Sequence, residues 1–121
     1  MTRRWLGALV VLASLALAAP LVGTAAPAKK HATTLTVTAG KPTEFHFQLS
    51  KKSVPAGAVT ITIVNKGKLA HDFKIGGKKS KMVNPGKKTT LKVTLKKGKQ
   101  KYLCTVPGHA AAGMRGTLTV K

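Results

Sequence analysis

The chain has 121 residues, with 22 Lys plus Arg against two acids, Glu44 and Asp72, a formal net charge of +20, and a single cysteine, Cys104. One compact domain is the most this length supports. Two carboxylates far apart in sequence leave little room for carboxylate-pair catalysis or an oxygen-rich calcium site, and one cysteine excludes an intramolecular disulfide, a CxxC redox pair and a cysteine-rich zinc site. The charge alone points to an anionic partner, nucleic acid first.

The N-terminus addresses location before partner. Arg3 and Arg4 precede an unbroken apolar run from Trp5 to Ala19, followed by Pro20 and small residues through Ala28. A basic region, an apolar core and a small-residue exit identify residues 1–28 as a secretory signal peptide, with cleavage after Ala25 or Ala28. Trp5 to Ala26 is also 22 residues without a charge, long enough to remain as an uncleaved anchor; Pro20 and the small-residue exit favour cleavage. Both readings place the remainder outside the cytoplasm, whether periplasmic, secreted or tethered on the outer side, because the arginines stay inside. The Arg3-Arg4 pair suggests a twin-arginine signal, but Trp5-Leu6-Gly7 fits that motif poorly. An exported chain without zinc-finger spacing, recognition-helix pattern or aromatic stacking platform is not expected to bind nucleic acid. Losing Arg3 and Arg4 lowers the charge only from +20 to +18.

After a short flexible lead at residues 29–34, residues 35–121 form the predicted domain. Leu35-Thr36-Val37-Thr38 alternates, then Ala39-Gly40-Lys41-Pro42 turns the chain. Phe45 to Leu49 alternates again, with Phe45, Phe47 and Leu49 on one face and His46 on the other, facing solvent. Val54-Pro55-Ala56-Gly57 turns into the strand Val59 to Ile63, which Asn65-Lys66-Gly67 ends. Phe73 and Ile75 share a face of a short strand closed by Gly76-Gly77. Met82 is expected to pack within its loop, and Pro85-Gly86 leads into Leu91 to Leu95. Lys97-Gly98 precedes Tyr102-Leu103-Cys104, and Gly116 to Val120 closes the chain. Seven to eight short strands rich in Val, Ile and Thr predict an all-β, Greek-key antiparallel β-sandwich. No amphipathic helix, internal repeat or second domain is visible, and a monomer is expected. Lysines at strand edges and turns discourage edge pairing and keep such a sandwich soluble.

The informative segment is YLCTVPGHAAAGMRG, residues 102–116. Cys104 stands at a strand end, His109 follows after four residues across a Pro107-Gly108 turn, and Met114 after four more. Thiolate, imidazole and thioether are donors that suit copper. A fourth donor is supplied by His71, at the start of an upstream strand whose end lies beside Cys104 in a sandwich. The predicted metal set is His71, Cys104, His109 and a weaker axial Met114.

With these residues in view, the chain resembles the small blue copper proteins, the cupredoxins, of the azurin, auracyanin and plastocyanin kind. The resemblance runs from VPAGAVTITIVNKGKLAHDFKI through NPGKKTTLKVTL to the 102–116 segment, and the C-x₄-H-x₄-M loop is closer to the auracyanin and rusticyanin spacing than to azurin. It implies a type 1 copper site that passes one electron at a time, with His71, Cys104 and His109 as strong ligands in a plane and Met114 as the long axial one. The small residues around His109 (Pro107, Gly108 and Ala110 to Ala112) form a neutral patch for close approach of a partner. Gly113 and Gly116 are expected to let the chain turn on either side of Met114. Where many members of the family carry Asn after the first His, this chain has Asp72. Its charge favours Cu(II), and its oxygens are placed to accept backbone N–H groups of the Cys104 loop.

The leading function is therefore a one-electron carrier, not an enzyme, since a copper oxidase needs further copper centres and a binuclear centre a second cysteine. Its partners are expected to be acidic redox proteins such as cytochromes or membrane oxidoreductases, with the anionic envelope surface as a further contact. The alternative is extracytoplasmic copper binding, storage or delivery without electron traffic; weaker still is a basic sandwich that holds anionic polymers. Cleavage after Ala28 would also leave Lys29-Lys30-His31 as a square-planar Cu(II) chelator.

Overall fold

The computed structural model describes residues 32–121. The expectations for residues 1–28 and for His31 lie outside the described residues. Among the described residues nine strands form two layers: β1 (Thr33–Ala39), β2 (Phe47–Leu49), β3 (Ser53–Val54), β4 (Gly57–Asn65), β5 (Lys74–Ile75), β6 (Lys78–Lys79), β7 (Lys88–Leu95), β8 (Gly98–Leu103) and β9 (Arg115–Val120). One sheet has the order β2-β1-β4-β7 and the other β3-β9-β8-β5-β6. The described residues contain no helix long and apolar enough to cross a membrane.

Period-two alternation turns one face of each long strand inward, as the pleat requires. In register across the first sheet, Leu35 lies beside Ile61 and Ile61 beside Leu91, while Val59 pairs with Val93. These side chains meet Phe73, Ile75, Leu118 and Val120 of the other layer in a single buried core. The outward positions carry Thr34, Thr36, Thr60, Thr62 and Lys92, and every described lysine and Arg115 is exposed. Phe47, Phe73 and Tyr102 pack ring to ring, Phe47 edge-on to Phe73 at 5.1 Å and Tyr102 stacked on Phe73 at 5.3 Å.

Both sheets are mixed rather than purely antiparallel. β1 and β4 run parallel over seven residue pairs, Thr33–Val59 to Ala39–Asn65, and β3 runs parallel to β9. The chain leaves β1 by the β2 hairpin, crosses to the second sheet at β3, and returns beside β1 as β4, so the two strands point the same way. Alternating hydrophobicity is identical for parallel and antiparallel neighbours, and the sequence pattern therefore carries no sign of it. Met82 is a correction: it is 53% exposed and does not pack into its loop, because the neighbouring Val83 turns inward instead. His46 is exposed, with Phe47 buried beside it.

Candidate metal centre

Four loops meet at one pole of the sandwich, and hydrogen bonds fix each to the next. Asn65 ends β4 fully buried, and its side-chain amide donates to the carbonyls of Leu69 (2.7 Å) and Val83 (2.8 Å) while its oxygen accepts the Gly67 N–H. This amide sets the path of residues 65–71 against residues 83–87, where a second pair of backbone bonds links His71 and Val83. His71 thereby enters the core with no exposed surface. On the other side, Cys104 follows the end of β8, and its N–H donates to the Met114 carbonyl at 3.0 Å, closing the loop that carries His109. Within that loop the N–H of Met114 donates to the His109 carbonyl, so the His and the Met are held across one tight turn. Gly113 has φ +118°, a conformation that favours glycine.

The four predicted residues come together as donors on this pole. Nδ1 of His71 lies 3.1 Å from Nδ1 of His109, and Sγ of Cys104 lies 3.6 Å from the same His109 nitrogen. All three residues are buried, with their donor atoms within 4.8 Å of one another. Met114 is fully buried in the same loop. Metal bonds of about 2.0 Å to nitrogen and about 2.3 Å to sulfur would span these two separations at angles of roughly 100–115°. Two imidazoles and a thiol in one cap, with a thioether nearby, are the donor set of a type 1 copper ion.

Electrostatics around the donors push the thiol and the imidazole in opposite directions. Burial pushes the Cys104 thiol up, while the backbone N–H groups of Asp72 and Val106 oppose this by favouring the thiolate; the Asp72 carboxylate charge acts with burial. Burial also pushes His109 down, and the charge of His71 adds to that, so the His109 ring is readily neutral. Asp72 is buried, and its Oδ1 accepts the Thr105 N–H at 2.6 Å while Oδ2 accepts the Thr105 hydroxyl. The carboxylate thus ties the two ligand loops together where the family often uses an amide.

Two residues that carry this geometry were not singled out as functional in the sequence. Asn65 was legible only as part of a turn. In the sequence Glu44 is only one of two acids, yet its Oε1 sits 2.7 Å from Nε2 of His71. Its Oε1 and Oε2 also accept the N–H groups of Leu69 and Lys68. The Lys68 N–H in particular, with Leu69 and His71 adding, holds the Glu44 carboxyl low despite its partial burial. The scarcity of carboxylates was itself the available signal, for both of those in the chain stand against this site. Gly116 is a correction: its φ is not positive, and it is small because the Tyr102 ring lies over it, where a Cβ would collide with the ring and its hydroxyl. Outside the ligands, Pro107, Gly108, Ala111 and Ala112 form an exposed neutral rim, while His109 keeps only 9% of its surface.

A family model described as a cupredoxin-like domain matches residues 7–120. No curated protein sequence matches the chain. Among solved structures, auracyanin B is 27% identical with a TM-score of 0.63, covering 74% of this chain and 89% of its own. A dithionite-reduced auracyanin from the photosynthetic bacterium Roseiflexus castenholzii is 25% identical with a TM-score of 0.62, covering 74% of this chain and 98% of its own. Rusticyanin from Thiobacillus ferrooxidans, a copper protein, is 26% identical with a TM-score of 0.62, over 73% of this chain and 76% of its own.

Proposed function

Since the chain belongs to the cupredoxin-like domain family, we propose that it is an exported type 1 copper protein that carries single electrons between redox partners. The observation that carries this reading is the buried cap of His71, Cys104 and His109 donors, already converging on one point. Copper, when bound, supplies a one-electron couple in a geometry acceptable to both oxidation states. The chain's part is to keep that geometry fixed. The backbone bridge to Val83 anchors His71, and the bond to Met114 anchors Cys104. Phe45 packs edge-on against the His109 ring at 5.0 Å and excludes water from that side. The thin neutral rim of Pro107, Gly108 and the alanines lets a partner come close to His109, the short exit for an electron.

Export rests on the pattern of residues 1–28, and an acidic redox partner or the anionic envelope surface is favoured by the exposed lysines. Copper titration of the metal-free protein tests the assignment. One equivalent of Cu(II) is expected to give an intense visible thiolate-to-copper absorption and a reversible one-electron wave with fast self-exchange. A colourless adduct would overturn the type 1 site. A blue protein that exchanges electrons slowly with itself and with acidic cytochromes would move the assignment to copper storage or delivery.

Asp72 tunes the same centre. Asp72→Asn keeps the size of the side chain and an oxygen for the Thr105 N–H but removes a negative charge beside the thiolate. A unit charge about 4 Å away is worth about 1 kcal/mol in water and about 4 kcal/mol at an effective dielectric of about 20. The charge favours Cu(II), so its loss is expected to raise the midpoint potential, by roughly 50–150 mV, in voltammetry of the two proteins side by side.

A further inference from the structure

We propose that Glu44 is the positioning residue of the copper site: its carboxylate fixes which nitrogen of His71 carries the proton, and so presents the other nitrogen to the metal as a lone pair. Imidazole can hold its proton on either nitrogen, and only a bare Nδ1 can act as a ligand beside Cys104 and His109. An ionised carboxylate has acceptors and no donor. With Oε1 at 2.7 Å from Nε2, the single proton of the neutral ring therefore resides on Nε2. The His71 ring has no exposed surface, and its other nitrogen faces Nδ1 of His109 at 3.1 Å. A carboxylate on the remote nitrogen also makes the ring a stronger donor and holds its plane.

Three features show that the fold is built around this contact. Glu44 is fixed by both of its oxygens, which accept the Lys68 and Leu69 N–H groups at 2.8 and 3.0 Å, so it is not a freely swinging surface acid. Gly67 makes room for it: a Cβ at that position would lie 2.5 Å from Oε1 and 3.0 Å from Oε2. Gly40, at φ +81°, lets the turn that carries Glu44 approach closely, since a Cβ there would lie 2.5 Å from the backbone of Gly67. A glycine pair thus sets the turn after β1 against the loop before His71. In a chain with 22 basic residues and two acids, one of the two carboxylates is committed to the rear of a ligand.

The role in copper binding rests on the function proposed above, but the proton position does not, and the two are tested separately. In metal-free protein, long-range ¹⁵N–¹H NMR is expected to show His71 as the Nε2–H form alone. Glu44→Ala is expected to release it into a mixture of both forms and to weaken Cu(II) and Co(II) binding roughly 10–100-fold. Glu44→Gln keeps an oxygen toward Nε2, at the cost of setting its NH₂ against the Lys68 N–H. It is expected to retain the Nε2–H form while Cu(II) affinity falls about tenfold relative to Cu(I), a rise of about 59 mV in midpoint. Gly67→Ala leaves the carboxylate in the chain but displaces it, and is expected to reproduce the Glu44→Ala spectrum, which separates loss of the contact from loss of a charge. His71 remaining wholly Nε2–H in folded Glu44→Ala and Gly67→Ala, with metal affinity within twofold of the parent, would overturn the proposal. Failure of the parent itself to take up copper, with the His71 proton shifted by these same substitutions, would overturn the copper reading and leave the positioning role supported.

Discussion

Cys104→Ser is expected to abolish the intense visible absorption of the copper-loaded protein and to lower copper affinity beyond the roughly 10–100-fold that loss of an outer partner costs. The absorption requires a thiolate, and a serine hydroxyl neither ionises near neutral pH nor offers a soft donor. The site is arranged for sulfur. Cys104 is 1% exposed; burial pushes its thiol up, and the N–H groups of Asp72 and Val106 oppose this by favouring the ionised form that a metal would take. Serine is nearly the same size, and the bond from the residue 104 N–H to the Met114 carbonyl involves only backbone. Circular dichroism should therefore match the parent while the optical titration stays colourless. A blue Cys104→Ser protein would mean that the sulfur is not a ligand at all.

Electron exchange with an acidic redox protein is expected to slow by about ten- to a thousandfold as ionic strength rises from about 0.01 to about 0.5 M. The structure sharpens this expectation beyond net charge. Every described lysine and Arg115 is exposed, whereas Asp72 is buried and Glu44 is turned toward His71 with its side chain 25% exposed. Among the described residues only part of the Glu44 side chain offsets the positive surface, so the field that steers an anionic partner is carried by exposed lysines. A small cationic redox reagent should show the opposite slope, since salt then screens repulsion. Stopped-flow rates that do not change with salt for either partner would rule out electrostatic docking.

The candidate metal-binding residues were legible because most of them are local. Cys104, His109 and Met114 lie on one loop, and the Pro107-Gly108 turn and Gly113 announce how that loop folds back. The core was legible for a similar reason: alternation in Leu35 to Ala39, Val59 to Ile63 and Leu91 to Leu95 specifies an inward face without reference to any neighbour. Contacts that depend on which loops meet were not legible. Glu44 and His71 are brought together by the crossover that sets β4 parallel to β1, and nothing within either local segment encodes that crossover. Asn65 reads as a turn residue until its amide is seen spanning the Leu69 and Val83 carbonyls. Gly116 reads as a hinge until the Tyr102 ring is seen above it.

By itself the amino-acid sequence determined the charge, the export-like N-terminus, the alternating strands and the set of soft donors, all properties of composition or short-range spacing. Only the tertiary structure decided what the two carboxylates do. In the sequence they are a near-absence that excludes acid–base chemistry. In the fold they are the two acids retained at one pole, Asp72 bonded to the loop that carries the thiol and Glu44 to the back of His71. The physical reason is range: a side chain's periodicity is set by its own strand, but a carboxylate's role is set by the N–H groups that long-range packing brings within about 3 Å of it.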